Sequence, residues 1–119
     1  MVKERKIWVV NSAGHDFTPA LKYTTLPKDK AFIFLTQGSE NIFQADRVKS
    51  ELRQKLLDFK ESDILLICGS NVLNIQVVLI VLEKFRNVDV LLYDGRTKEY
   101  TIRQFRFEGE EVKDNGFRN

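Results

Sequence analysis

Two residues of this chain are candidates for proton transfer, and each lies shortly after the end of an apolar run. His15, the only histidine, lies in the polar segment Asn11–Asp16, and Asp94 follows the run that ends at Tyr93. Imidazole and carboxylate groups act as general acids and bases, so both are candidates for catalysis on a nucleoside or nucleotide. The alternatives are that His15 binds a ligand or supports the fold, and that Asp94 begins an Asp-Gly turn. Adjacent side chains seldom point the same way, so we do not expect Asp16 to orient His15.

The tripeptide Gly69-Ser70-Asn71 joins a third apolar run to a predicted helix. Backbone N–H groups and the helix dipole at such a helix start favour a bound phosphate or carboxylate. Gly69 would let the backbone approach the ligand, while Ser70 and Asn71 add hydrogen-bonding side chains. The same residues suit an ordinary turn in which Ser70 or Asn71 caps the helix. The lysine and the full glycine spacing of a phosphate-binding loop are absent, so both interpretations stay open.

Further ligand-binding candidates lie at the ends of the first two apolar runs and near the start of the following helix. They are Asn11, Ser12, Gly14, Asp16, Thr36, Gly38 and Arg47. Arg47 offers a bidentate grip on a phosphate or carboxylate, although a surface ion pair is the usual role of such a residue. A base could stack on an aromatic side chain, of which the candidates are Trp8, Phe17, Phe43 and Tyr93. One histidine and one cysteine predict no metal site, and no particular cofactor is indicated.

The four apolar runs that end at these polar segments predict parallel strands. We expect the strands at residues 6–10, 31–36, 63–68 and 88–93. The carboxyl ends of parallel strands meet at one edge of a sheet, where open α/β sheets bind ligands. Residues 11–30 predict a long connection with one short helical turn at Thr18–Lys22, where Pro19 suits an early helical position.

Apolar side chains at spacings of three and four predict a surface helix that starts near Ile42 or Gln44 and ends at Phe59. A second helix, Val72–Phe85, is apolar nearly all round. Its β-branched run also suits a strand, but two parallel strands need a long crossover, so we predict a helix. We expect this helix to contact another copy of the chain in a homo-oligomer. Residues 99–107 alternate polar and apolar side chains, as an antiparallel edge strand does.

These elements predict a small Rossmann-like α/β protein with right-handed crossovers. We expect a three-layer sandwich around a mostly parallel four-stranded sheet, with a C-terminal antiparallel edge strand. The strand order 2-1-3-4 would place the topological switch point between the first and third strands. Residues 1–107 would form a single domain, and residues 108–119 a charged, flexible tail.

The composition is that of a globular protein, with 119 residues and a formal net charge of +2. Acidic and basic residues interleave, so we expect neither a nucleic-acid partner nor a membrane surface. The longest apolar run, Val77–Leu82, is too short to cross a bilayer. The single cysteine, Cys68, has apolar neighbours that predict a buried, inert thiol. We therefore expect a soluble, cytoplasmic protein.

Four segments of the chain carry a resemblance to a known group of proteins. They are Asn11–Phe17, Leu35–Gly38, Asn41–Arg47 and Leu91–Asp94. Together they resemble small uncharacterised Rossmann-like proteins carried by bacteriophages and their bacterial hosts. The resemblance covers most of the chain and implies a phage or bacterial setting. It also implies a ligand-sequestering role, because phages use small proteins to capture host nucleotide signals.

The polar strand ends lead to one principal functional prediction and two alternatives. We expect a small nucleotide- or phosphosugar-binding protein whose pocket lies at the carboxyl edge of the sheet. The first alternative is a small hydrolase or transferase in which His15 or Asp94 transfers a proton. The second is a structural or interaction module that oligomerises through its apolar second helix and has no ligand.

Overall fold

The computed structural model describes residues 3–12, 16–36 and 45–106. The predicted tail at residues 108–119 lies outside these ranges. In chain order the elements are β1 (Ile7–Asn11), a 3₁₀ helix (Thr18–Tyr23), α1 (Lys28–Ala31), β2 (Phe32–Thr36), α2 (Ala45–Lys55), a 3₁₀ turn (Leu56–Asp58), β3 (Ile64–Leu66), α3 (Asn71–Lys84), β4 (Asn87–Asp94) and β5 (Glu99–Arg106).

The five strands form one mixed sheet in the order β2-β1-β3-β4-β5. Strands β1 to β4 run parallel, whereas β5 pairs antiparallel with β4 and forms an edge of the sheet. The predicted order 2-1-3-4 and the predicted antiparallel edge strand are both confirmed. Ile7 of β1 lies beside Phe32 of β2 on one side and Ile64 of β3 on the other. All five residues of β1 are buried, because the strand is paired at both edges and its apolar side chains lie in the core clusters on both faces of the sheet.

Both long helices, α2 and α3, pack on the same face of the sheet. The crossovers from β2 to β3 and from β3 to β4 lead across the sheet in the same direction, and right-handed crossovers place their helices on the same side. The connection from β1 to β2 leads the opposite way, and its 3₁₀ helix Thr18–Tyr23 covers the other face. Two long helices therefore cover one face of the sheet and this short helix covers the other, while the predicted Rossmann-like sandwich stays a prediction.

Alternate residues of the strands divide the core into two clusters. The larger cluster joins α2 and α3 to the sheet, and its members include Trp8, Val10, Leu52, Leu65, Val77, Val81 and Val90. The smaller cluster lies under the 3₁₀ helix, and its members include Ile7, Val9, Phe17, Ala20, Leu66, Leu91 and Tyr100. Continuous apolar runs in β1 and β3 follow from burial on both faces.

Several element boundaries differ from those predicted. Strand β3 ends at Leu66 and not at residue 68, since the backbone N–H of Cys68 donates to the side chain of Asn74 at 3.3 Å and leaves the ladder. The one-turn helix α1 was not predicted, and β2 begins after it at Phe32. The predicted start of the first long helix lies outside the described residues, and its described part ends at Lys55 before the 3₁₀ turn.

A buried carboxylate at the start of β3 fixes β1 against the rest of the sheet. Asp63 is 3% exposed. Its Oδ1 accepts a hydrogen bond from the Lys6 N–H at 3.0 Å. Its Oδ2 accepts from Trp8 Nε1 and from the Lys60 N–H, both at 3.0 Å. A carboxylate satisfied by three donors stabilises the position of β1 in the middle of the sheet.

Candidate functional site

The predicted switch point between β1 and β3 is a close contact between Asn11 and Gly69. Gly69 has a φ of +80°, and a Cβ atom there would lie 2.8 Å from the Cβ of Asn11. A side chain at this position would clash as well as strain the backbone, so the close approach requires glycine. The Cys68 thiol next to it donates to the Asn11 carbonyl oxygen at 3.0 Å. The structure thus brings two of the predicted ligand-binding residues, Asn11 and Gly69, together.

Ser70 is the N-cap of α3, as one of the two sequence interpretations predicted. Its Oγ accepts hydrogen bonds from the N–H groups of Val72 at 3.2 Å and Leu73 at 3.4 Å. Asn71 is the first helical residue and is exposed. Capping explains why serine stands at position 70. Ser70 satisfies two N–H groups from which a bound anion would otherwise accept hydrogen bonds. Anion binding at residues 69–71 stays a prediction.

Thr36 and Ser12 connect the ends of β1 and β2. The Thr36 hydroxyl donates to the Val10 carbonyl oxygen at 2.7 Å, and its side chain is buried. The Ser12 N–H donates to the Thr36 carbonyl oxygen at 3.0 Å. Arg47 is exposed on α2, where its Nε lies 3.4 Å from the Glu51 carboxylate one turn later. In this structure these three residues make contacts within the protein, and ligand binding by them is untested.

Asp16 and Asp94 each accept hydrogen bonds from residues two positions later. Asp16 Oδ1 accepts from the Thr18 N–H at 3.0 Å, and the bonds from Thr18 lower the pKa of this exposed carboxyl. Asp94 Oδ1 accepts from the Arg96 N–H at 2.9 Å, and the contacts with Arg96 lower the pKa of Asp94. A lowered pKa keeps both groups ionised at neutral pH and makes them weak bases. Asp94 therefore has the geometry of a turn residue, and its predicted role in proton transfer is untested.

The predicted site residues Gly14, His15 and Gly38 lie outside the described residues. The catalytic role predicted for His15 thus remains a prediction. Among the described residues, no group of three or more histidine, cysteine or acidic side chains could hold a metal ion. None of the helices in the described ranges is long and apolar enough to cross a membrane.

A cavity of about 370 Å³ lies at the carboxyl edge of the sheet, on the face covered by the 3₁₀ helix. It is lined by Asp16, Pro19, Ile67, Cys68, Tyr93, Lys98 and Tyr100. The lining comes from the segments after β1 and β3, from the end of β4, from the turn after β4 and from the start of β5. Small-molecule sites have volumes of roughly 300–1,000 Å³ and combine apolar walls with a few polar groups. This cavity meets both criteria.

Two tyrosines form an aromatic wall of the cavity. The rings of Tyr93 and Tyr100 are 5.2 Å apart and inclined at 62°. Tyr100 is 4% exposed, whereas Tyr93 is 53% exposed. Burial raises the pKa of Tyr100 to about 12, and nearby Cys68, Tyr93 and Asp16 act in the same direction. Tyr100 is therefore a neutral part of the wall, and Tyr93 offers an accessible ring for stacking.

The charged and reactive groups of the cavity have distinct roles. Cys68 is half-buried and not fully buried as the sequence predicted, and its partial burial raises the pKa of the thiol, so the thiol is protonated at neutral pH. Lys98 ends the turn between β4 and β5, with its N–H donating to the Asp94 carbonyl oxygen at 2.7 Å. Its φ of 60° is rare for a residue with a side chain. Lys98 and Asp16 thus supply one positive and one negative charge to this cavity.

Sequence reasoning found only part of this lining. Of the predicted site residues that the structure describes, Asp16 alone lines the cavity, and Tyr93 was named as a possible stacking residue. Lys98 and Tyr100 were missed. The antiparallel register places Tyr100 opposite Tyr93 and Glu99 opposite Asp94. The Asp-Gly turn and the alternation of residues 99–107 carried that signal, because together they fix which residues of a hairpin face each other.

The structure defines a class of protein, an α/β protein with a mostly parallel sheet and a ligand-sized cavity at the carboxyl edge. Residues 3–107 match the model of the family described as Phage Pam3 gp32-like protein, and the chain belongs to this family. The match supports the phage association implied by the resemblance. Comparison with curated proteins gave no match. Comparison with solved structures gave none either.

Proposed function

We propose that this protein binds a nucleotide or phosphosugar in the cavity between the 3₁₀ helix and the β4–β5 turn. The observation that carries the proposal is the convergence of an accessible aromatic ring, a cation and a carboxylate on one cavity of about 370 Å³. The position also agrees with the rule that open α/β sheets bind ligands beyond the carboxyl ends of their strands. Ligand binding without a catalysed reaction is enough to explain the ring, the cation, the carboxylate and the position of the cavity.

Each lining group has a role in this proposal. The exposed ring of Tyr93 would stack on a base or on the apolar face of a sugar. The Lys98 ammonium would pair with a phosphate. The Asp16 carboxylate would accept hydrogen bonds from ribose or sugar hydroxyls. Ile67 and the neutral Cys68 and Tyr100 would exclude water from the ligand.

Two narrower statements belong to the same proposal. We infer a Rossmann-like relationship from the strand order β2-β1-β3-β4, with the binding site beside the switch point. We also infer that the protein sequesters its ligand in a phage-infected bacterial cytoplasm. The family description and the single unpaired cysteine support this setting.

Isothermal titration calorimetry with a panel of nucleotides and sugar phosphates tests the proposal. We expect Tyr93→Ala to weaken binding of the best ligand at least tenfold, and Lys98→Asn to weaken binding of phosphorylated ligands by a similar factor. Asparagine is chosen at 98 because it tolerates the left-handed backbone. Arg96→Gln is the matched control, because its guanidinium belongs to the same turn but not to the cavity. Absence of binding at millimolar ligand would contradict the proposal. Equal losses of affinity in Arg96→Gln and Lys98→Asn would contradict it as well.

We propose as a second function that α3 mediates contact between copies of the chain. Three apolar residues of α3 are exposed, namely Val72, Ile75 and Leu79. Beside them runs a groove of about 310 Å³, lined by Ile67, Asn74, Ile75, Val78, Leu79, Val90, Leu92 and Phe105. These lining residues carry no charge. Since the ridge and the groove are adjacent, a two-fold axis can place the ridge of each copy in the groove of the other.

Light scattering coupled to size exclusion tests this contact. We expect the wild-type chain to run as an oligomer and Leu79→Glu to run as a monomer, because a carboxylate cannot be buried in an apolar interface without a partner. Leu57→Glu is the control, since Leu57 is exposed to a similar extent, 61% against 58% for Leu79. Leu57 lies in the 3₁₀ turn after α2, away from the groove. A monomeric wild-type chain at millimolar concentration contradicts the proposal.

A further inference from the structure

We infer that the ligand of this cavity is a nucleoside or a nucleoside monophosphate and that the site discriminates against di- and triphosphates. The inference rests on the proposed function and specifies its substrate class. It depends on the charges that line the cavity, on the groups nearby that are already hydrogen-bonded, and on the available volume.

The charges of the described lining residues are balanced. Its described lining residues include one cation, Lys98, and one anion, Asp16. A lysine ammonium neutralises about one unit of negative charge and acts as a point charge without the fork of an arginine. Sites for polyphosphates instead combine several backbone N–H groups, a lysine and a divalent cation. One ammonium therefore suits a single phosphate.

The Asp16 carboxylate lines the cavity and accepts a hydrogen bond that restrains its position. Its Oδ1 is held by the Thr18 N–H at 3.0 Å. The hydrogen bonds from Thr18 that lower the pKa of Asp16 also keep it ionised at neutral pH. Pairs of like charge at close range repel each other, and the carboxylate cannot turn away without losing the bond to Thr18. This residue favours a sugar hydroxyl and disfavours additional negative charge.

The nearest helix start offers little to an additional phosphate. Cys68 lines the cavity, and the chain continues through Gly69 into α3. The N–H groups of Val72 and Leu73 already donate to Ser70 Oγ. The thiol of Cys68 and the phenol of Tyr100 have raised pKa values and carry no charge at neutral pH. The volume of about 370 Å³ is near the lower end of the range of small-molecule sites, roughly 300–1,000 Å³.

Calorimetry with adenosine, AMP, ADP and ATP, and with the matching guanosine series, tests the inference in magnesium-free buffer. We expect the monophosphate to bind at least as tightly as the nucleoside. Each further phosphate should weaken binding roughly three- to tenfold, as repulsion between exposed like charges predicts. Tighter binding of ADP or ATP than of AMP would overturn the inference but leave the proposed function intact. No binding by any member would overturn the inference, and the proposed function would also be overturned only if the sugar phosphates and other nucleotides of the first panel failed to bind as well.

Replacing the carboxylate provides a second, independent measurement. Asp16→Asn keeps the acceptor oxygen for Thr18 and removes the charge, so we expect the ratio of ATP to AMP affinity to rise roughly three- to tenfold. Asp29→Asn is the matched control, because Asp29 is exposed on α1 and does not line the cavity. An unchanged ratio in Asp16→Asn, or an equal rise in Asp29→Asn, would show that Asp16 does not select against phosphates.

Discussion

Replacing Asp63 by asparagine tests the contribution of the buried carboxylate to stability. The Oδ1 bond from the Lys6 N–H can persist, because asparagine keeps one acceptor oxygen. The amide nitrogen that replaces Oδ2 would face two donors, Trp8 Nε1 and the Lys60 N–H. Hydrogen bonds to a charged group contribute about 1.5–3 kcal/mol each, so losing two predicts a loss of about 3–6 kcal/mol.

This loss is large compared with the stability expected for a chain of this length. At about 0.05–0.15 kcal/mol per residue, 119 residues correspond to a free energy of unfolding of about 6–18 kcal/mol. Urea denaturation followed by the fluorescence of Trp8, the single tryptophan, measures the change and reports on the contact itself. With a slope of about 1–3 kcal/mol per molar urea, the midpoint should fall by at least about 1 M.

A surface carboxylate provides the control for this experiment. Asp58 is exposed, and Asp58→Asn should change stability by less than about 0.5 kcal/mol. A loss below about 1 kcal/mol in Asp63→Asn would refute the reasoning, because it would mean that the three hydrogen bonds of Asp63 contribute little beyond those made with water. A change in the denaturant slope would instead indicate that the native state had altered.

Three further changes have definite expected results. Lys98→Gly should stabilise the fold by about 1 kcal/mol or less, because relief of the positive φ exceeds the added flexibility of the unfolded chain; a clear loss of stability in urea would contradict this. Tyr100 has a folded pKa of about 12 against an ordinary 10.0. The unfolded state therefore ionises first, so the contribution of Tyr100 to stability is complete below pH 10 and falls as the pH rises towards 12. The expected loss is about 1–2 kcal/mol, less than the full shift because Tyr100 lines a cavity that solvent can enter. Urea midpoints across this range should lose that slope in Tyr100→Phe but keep it in the control Tyr93→Phe. Gly69→Ala should cost about 2–3 kcal/mol and lower the melting temperature by at least about 6 °C, whereas Gly95→Ala, which meets no atom within 4 Å, should leave it nearly unchanged; equal effects would contradict the steric argument.

Much of the fold could be predicted because it depends on local patterns. The apolar runs predict the strands, and the alternation of residues 99–107 predicts the antiparallel edge. Right-handed crossovers are compatible with the strand order 2-1-3-4 but do not require it, because the order 1-2-3-4 satisfies the same rule. Ser70 was a predictable N-cap because serine satisfies the free N–H groups at a helix start. The strands, the edge strand and the N-cap each need only a short window of sequence, whereas the strand order depends on the whole chain.

The candidate site was less predictable because its residues meet only through tertiary packing. Lys98 and Tyr100 line the cavity because the register of the β4–β5 hairpin places them there. Pro19 lines it because the 3₁₀ helix packs on the sheet. Thr36 illustrates the opposite case, since its polar side chain at a strand end serves the backbone of β1. A polar residue at a strand end does not reveal from its type whether it points to a ligand or to a neighbouring strand.

The central position of β1 has a consequence for synthesis of the chain. Strand β1 is made before the other four described strands but is an inner strand of the finished sheet, and the Asp63 contact that fixes it closes a separation of 57 residues from Lys6. At about 5–20 residues per second, roughly 3–11 s pass before that partner is made. Both edges of the apolar run Ile7–Val10 are unpaired until β2 is made, and the edge that pairs with β3 stays unpaired for the whole interval. The speed of translation therefore sets how long the nascent strand is open to incorrect pairing.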